Sequence, residues 1–136
     1  MDQMTITLVR HSWQKVEQIA PQASAIFYEN VFTADPSLKS LFKQGDMTAQ
    51  GQKLMQMIGV AISKLDELDV LVPVLENLAK RHVGYGVQQV HYQIIGDSLI
   101  QALDQGLGSD FTPDVKNAWI TVYGVMADVM ISASKY

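Results

Sequence analysis

Leu71-Val72-Pro73-Val74-Leu75-Glu76-Asn77-Leu78-Ala79-Lys80-Arg81-His82-Val83-Gly84-Tyr85-Gly86 is the stretch on which the reading of this chain turns. At helical spacing, Leu71, Leu75, Leu78, Ala79 and His82 fall on one face, an apolar stripe that ends in an imidazole. Gly84 and Gly86 follow at once, where a helix would stop. Lys80 and Arg81 occupy the last turn, where cations meet the negative end of the helix dipole. Imidazole is a common metal ligand. A histidine on an apolar face is equally a packed core residue with a hydrogen-bonded ring nitrogen, and the stripe by itself leaves both open.

Working outward, the period stays helical almost everywhere. Upstream, Gln50, Leu54, Met57, Ile58, Ala61 and Leu65 recur at helical spacing from near Thr48, and Asp66 to Asp69 reads as an acidic turn into the stretch above. Lys43 to Met47, with Gly45, reads as a loop. Asp35-Pro36 supplies a cap and a first-turn proline for a short helix through Phe42. Before it, Pro21 starts a helix that carries Ile26, Phe27, Val31 and Phe32. Val9, Trp13, Val16 and Ala20 make the first stripe, with Thr5 and Thr7 as its candidate caps.

Downstream, Tyr92, Ile95, Leu99, Ala102, Leu103 and Leu107 form another stripe, broken by Gly106, Gly108, Ser109 and Asp110. Thr112-Pro113-Asp114 is a start signal: N-cap, proline in the first position, acid in the first turn. The last helix carries Val115, Ala118, Trp119, Val122, Met126 and Met130. No alternating strand pattern, repeat or linker appears, so residues 1–136 are expected to form one all-α domain. Long helices at the C-terminal end and a short one after a proline do not suit a simple four-helix bundle.

Composition narrows the function. The chain has 136 residues, 48% of them apolar, enough to bury a real core. It has no cysteine, which excludes disulfides, thiolate metal ligands, iron–sulfur clusters and a Cys nucleophile. With a net charge of −4 and no basic run, nucleic acid is not an expected partner. Met1-Asp2-Gln3-Met4 has no basic region before an apolar stretch, and no apolar run is long enough to span a bilayer. The expectation is a cytoplasmic protein with no membrane contact. There is no phosphate loop, dinucleotide fingerprint or Ser/His/Asp arrangement.

Several segments, in order, carry a resemblance. They are Phe27-Tyr28-Glu29-Asn30-Val31-Phe32, Pro36 followed by Leu41-Phe42, Lys53-Leu54-Met55, and Arg81-His82. His91-Tyr92 with Gly96, and Ala118-Trp119 with Tyr123-Gly124-Val125, complete the set. Together they make the chain similar to the single-domain bacterial haemoglobins, relatives of the haem domain of flavohaemoglobins. The resemblance covers essentially the whole chain. It implies a globin fold, a 3-on-3 helical sandwich around haem b (iron protoporphyrin IX).

On that resemblance His82 is the proximal iron ligand, with Leu78 one turn earlier on the cofactor side. Phe42 packs on the porphyrin face, a role that coincides with ordinary core packing. Tyr28 points over the iron and donates to bound ligand; the bland alternative is a buried tyrosine satisfied locally. Gln50 falls where a distal residue faces the ligand, with Gln52 as the neighbour that would replace it, and Leu54 walls the pocket. Lys53 either reaches a haem propionate or is solvated. Tyr92 matches the tyrosine of a Tyr–Glu pair that ties down the proximal imidazole, while the Glu position falls at Ser134. That departure implies a less anionic imidazole and weaker peroxide chemistry. His11 is expected in solvent, and His91 at a propionate or in water.

The function implied is reversible binding of O2, and of CO and NO, for oxygen binding, storage or transport. The second expectation is nitric oxide dioxygenation. The chain ends soon after Tyr123, so a separate reductase would then be required. The third is a gas sensor. Trp119 and the apolar last helix suit either a monomer's core or a weak homodimer.

Overall fold

Helix α1 (Gln3–Glu17) starts at Asp2, whose extended backbone lets its carboxylate accept the Thr5 N–H at 2.8 Å. The cap is therefore Asp2 and not Thr5 or Thr7, because a carboxylate three residues ahead of a free amide is the better acceptor. The computed structural model describes residues 1–42 and 47–134, with Phe42 by its backbone alone. Helix α2 (Ala20–Ala34) has Pro21 in its first turn, where the missing N–H has no helical partner to lose. A 3-10 helix, Pro36–Phe42, follows, and Asp35 accepts the Ser37 N–H at 3.0 Å. Then come α3 (Met47–Ser63), α4 (Leu68–Tyr85), α5 (Gln89–Leu107), a 3-10 turn at Gly108–Asp110, and α6 (Pro113–Ser134). Among the described residues there is no strand.

The end of α4 corrects one expectation. Gly84 stays inside the helix, and the chain leaves it at Gly86, at φ 97°. There the Gly86 N–H reaches the Val83 carbonyl and the Val87 N–H reaches the His82 carbonyl at 3.0 Å. These bonds satisfy carbonyls that a helix end leaves without partners, and the left-handed turn they need suits glycine. Similarly, α3 stops at Ser63, yet Leu65 in the following turn is still 1% exposed. The apolar period runs two residues past the backbone helix because burial, not hydrogen bonding, sets it.

The close helix pairs are α2 with α5, α4 with α6, α1 with α6, and α2 with α3. Trp119 anchors the α1–α6 contact at 2% exposure, its indole N–H donating to Ser12 Oγ at 2.8 Å. Burying a side chain of that kind stabilises by about 1.5–3 kcal/mol. Trp119 is thus a core residue and offers no dimer surface. Where α5 meets α6, a Cβ on Gly96 would lie 2.5 Å from the Tyr123 ring. The bare glycine lets that ring lie on α5, and its hydroxyl donates to the Tyr92 carbonyl.

The core divides in two. A large cluster gathers α1, α4 and α6 around Val9, Trp13, Leu71, Leu75, Ala79 and Trp119. A smaller one holds Phe27, Tyr28, Val31, Leu38 and Ala102. Helices α3 and α4 are consecutive but do not pack closely on each other. Among the described residues no helix is long and apolar enough to cross a membrane.

Candidate functional site

On the α4 side, Leu71, Leu75 and Ala79 are buried in the large cluster, while Leu78 and His82 remain half-buried. The His82 Nδ1–H donates to the Leu78 carbonyl oxygen at 2.8 Å. A carbonyl can only accept, so the proton sits on Nδ1 and the lone pair on Nε2. Burial holds the His82 pKa below the ordinary imidazole value, the Arg81 guanidinium adds to the effect, and the Leu78 bond opposes it. The ring is neutral, with its Nδ1 proton engaged and its lone pair on Nε2. The cap bonds at Gly86 and Val87 hold the backbone on which it stands.

On the α3 side, Gln50 and Leu54 are half-buried, one turn apart. Tyr28 reaches Gln50 from α2, and the two side chains are hydrogen-bonded to each other. Burial pushes the Tyr28 phenol above its usual value and the Gln50 bond pulls the other way, so the hydroxyl stays protonated at neutral pH. Its ring is braced edge-on by Phe27 at 5.0 Å and stacked by Phe32 at 6.0 Å. The crossing that brings Gln50 to Tyr28 is set one residue on. A Cβ at Gly51 would lie 2.6 Å from Ser24 Oγ and 3.1 Å from Ser24 Cβ, so a side chain there would make the serine hydroxyl turn away and crowd the approach of α3 to α2.

The other expected site residues separate. Gln52 and Lys53 are exposed, whereas Leu54 packs against the smaller cluster. Phe42 has a side chain that lies outside the described residues. Tyr92 is buried in the large cluster, with its carbonyl held by Tyr123. The Nδ1 proton of His82 goes to the Leu78 carbonyl, one turn back on the same helix. Ser134 turns its hydroxyl back onto the Met130 carbonyl at 2.8 Å. His91 accepts the Gln88 N–H at 2.9 Å, closing the cap of α5, and His11 is exposed. A small apolar cavity of about 20 Å³ borders Phe27, Leu54 and Ala102.

The spacing of residues gave no direct sign of the Leu78 carbonyl, the Ser24–Gly51 contact or the Gly96–Tyr123 contact. The last two had a faint one, since a glycine within a helical stripe costs stability and so invites a packing reason.

Chemically, the chain offers one neutral imidazole on α4 and a phenol–amide pair formed by α2 and α3. Among the described residues no three His, Asp or Glu side chains gather to hold a metal ion. An ion bound at His82 would have to bring most of its own ligands, as iron does in a porphyrin. The donor set fits that group: a neutral nitrogen with its second nitrogen hydrogen-bonded, beside half-buried Leu78.

A globin family model matches residues 25–130. The chain is 29% identical to a flavohemoprotein of Bacillus subtilis, over 99% of this chain and 34% of that one. It is 32% identical to a flavohemoprotein of Rhodopirellula baltica, over 96% of this chain and 33% of that one. It thus spans about a third of the length of these curated relatives. Among solved structures, it is similar to an engineered carbene transferase, described as a nitric oxide dioxygenase from Rhodothermus marinus. That match has a TM-score of 0.87 and 25% identity, and covers 99% of this chain and 94% of the other.

Proposed function

The chain belongs to the globin family, and from that premise we propose that it holds haem b through His82 and binds O2, CO and NO reversibly. The observation that carries this reading is the neutral imidazole whose Nδ1–H is bonded to the Leu78 carbonyl, which puts the lone pair on Nε2. When bound, haem supplies the iron at which diatomic gases are taken up. His82 would hold it through Nε2, and Leu78, Leu54 and Phe42 would pack on it. Lys53, exposed beside Leu54, would meet a propionate. Tyr92 braces the helix layer beneath, through the carbonyl that Tyr123 holds.

On the other side, Tyr28 and Gln50 offer hydrogen bonds to a ligand that carries partial negative charge. Burial keeps the Tyr28 hydroxyl protonated, so it is a donor throughout the neutral range. Such donors slow ligand escape, which suits oxygen binding, storage or transport by a cytoplasmic monomer or weak homodimer. The likeness to a protein described as a nitric oxide dioxygenase supports a second reading. In it NO and O2 combine to nitrate, and each turnover requires an electron from a reductase.

One preparation tests both. The purified protein reconstituted with hemin should give an intense Soret band, take up O2 and CO when reduced, and lose that spectrum in the His82→Leu variant. A spectrum unchanged by His82→Leu overturns the assignment. Nitrate formed in stoichiometric yield from NO and the oxygenated protein supports the second reading, and its absence excludes it.

A further inference from the structure

The two tryptophans of this chain are buried side by side, their rings 6.1 Å apart. Their indole N–H groups differ. Trp119 donates to Ser12 Oγ, whereas Trp13, 5% exposed, has no acceptor for its Nε1–H among the described residues. A buried N–H without an acceptor is uncommon, since it gives up water and gains nothing in return. Gly59 on α3 shows where it points. A Cβ there would lie 3.6 Å from Trp13 Nε1. Apart from α3's own backbone and the adjacent residues, nothing else described lies within 4 Å of that position. The missing side chain leaves a notch with an indole N–H at its bottom.

The notch opens into a groove of about 1040 Å³ between α1 and α3. Trp13 and Glu17 line it from α1, and Met55, Gly59 and Val60 from α3. Val60 is apolar and 41% exposed. Among the described lining residues the one cation is Arg10, and its charge is spent. It donates to the Ile62 and Ser63 carbonyls at 3.2 and 3.1 Å and pairs with Asp66 at 3.0 Å. Glu17 and Glu67 also line the groove, both are exposed, and neither is in an ion pair among the described residues. Lys64, in the turn after α3, does not line it. The groove thus joins an unused donor and an apolar wall to unspent negative charge.

We propose that this groove binds a small amphiphilic cation that carries a carbonyl group, of the N-acylated diamine class. The carbonyl oxygen accepts the Trp13 N–H over Gly59, the methylene chain lies against Met55 and Val60, and the ammonium meets Glu17. Each part answers something the chain leaves open. Glu17 stands four residues after Trp13, about 6 Å along the helix axis, which a short chain spans. A carboxylate ligand would offer an acceptor but face Glu17 and Glu67, and a plain alkylamine would leave the indole without one. None of these residues belongs to the site around His82, Tyr28 and Gln50, so the inference stands apart from the haem reading.

The probe is N-acetylcadaverine, titrated into isotope-labelled, reduced and CO-saturated protein while NMR follows the two indole N–H signals. The Trp13 signal, assigned by its response to Gly59→Ala, should shift saturably and exchange its proton more slowly. The Trp119 signal, held by Ser12, should stay in place. Gly59→Ala puts a methyl group in ordinary contact with the indole and suits the helix, so it should fold and weaken binding at least about tenfold. Glu17→Gln should weaken binding at low salt, and high salt should bring variant and parent together. Pentylamine, which lacks the carbonyl, and hexanoate, which lacks the cation, should each bind at least about tenfold more weakly than the probe. A Trp13 signal indifferent to the probe overturns the proposal, and so does equal binding of pentylamine or hexanoate. Unchanged affinity in Gly59→Ala overturns it as well. So does a Trp13 signal that moves with protein concentration alone, because a second copy would then fill the groove.

Discussion

At the scale of single residues, the site is set by which atoms are already engaged. The Leu78 carbonyl takes the Nδ1 proton of His82, and this one bond orients the ring and decides which nitrogen it presents. Ser134, on its own helix, spends its hydroxyl on Met130 and brings no charge to the ring. On the Tyr28 phenol, Gln50 donates to the hydroxyl oxygen, so the amide positions the phenol while the phenol keeps its own proton. Tyr28→Phe should therefore raise the O2 dissociation rate roughly tenfold, about the worth of one hydrogen bond to a buried polar ligand. Gln50→Leu should give a smaller rise, and the double variant should fall short of the product of the two, since the pair is coupled. Flash photolysis or oxygen-scavenger mixing measures this, and multiplicative effects would show that the two act separately.

At the scale of elements, two glycines on α4 have opposite meanings. Gly86 sits at φ 97°, where the helix ends and the Val87 amide can turn back to the His82 carbonyl. Gly84 has ordinary helical geometry and open space around it. Gly86→Ala should destabilise by about 1–2 kcal/mol, the cost of forcing a side chain into the left-handed region. Gly84→Ala should stabilise by up to about 1 kcal/mol through helix propensity. Urea unfolding distinguishes them, and equal effects of the two substitutions would contradict the assigned helix end. Spacing along the chain showed a stop here but could not choose between the two glycines, because both are only a residue type until φ is known. Thr5 and Thr7 were plausible caps for α1 for the same reason, and Asp2 serves because its carboxylate lies in line with a free amide.

At the scale of the whole molecule, the α5–α6 contact makes stability depend on alkaline pH. Burial pushes the Tyr123 phenol well above its usual value, with the nearby Tyr92 and Asp97 adding to the effect. Below the unfolded pKa of about 10 this group stays protonated in both states, and its hydrogen bond to the Tyr92 carbonyl is intact. As pH rises past about 10, the unfolded chain loses that proton and the folded chain keeps it, so stability falls. Urea unfolding between pH 8 and 11 should show this loss, and Tyr123→Phe should show a shallower one, starting about 1 kcal/mol lower at pH 8. Parallel curves for the two proteins would exclude Tyr123 as the source.

Much of this protein was legible along the chain. Helical stripes located α3, α5 and α6 closely, and the imidazole, the phenol and the amide of the candidate site were singled out by their place in a family order. Local periodicity does this because each helix must hide one apolar face, and that need is written in residues three and four apart. What periodicity leaves open is which face each stripe meets. Only the tertiary structure brings Gln50 to Tyr28, through a crossing at Gly51 and Ser24, and lays Tyr123 over Gly96. It also keeps α3 and α4, which carry Gln50 and His82, from packing closely on each other. These relations join residues far apart in sequence, and they depend on how closely backbones can approach. That distance is settled by the packed whole and not by any one helix.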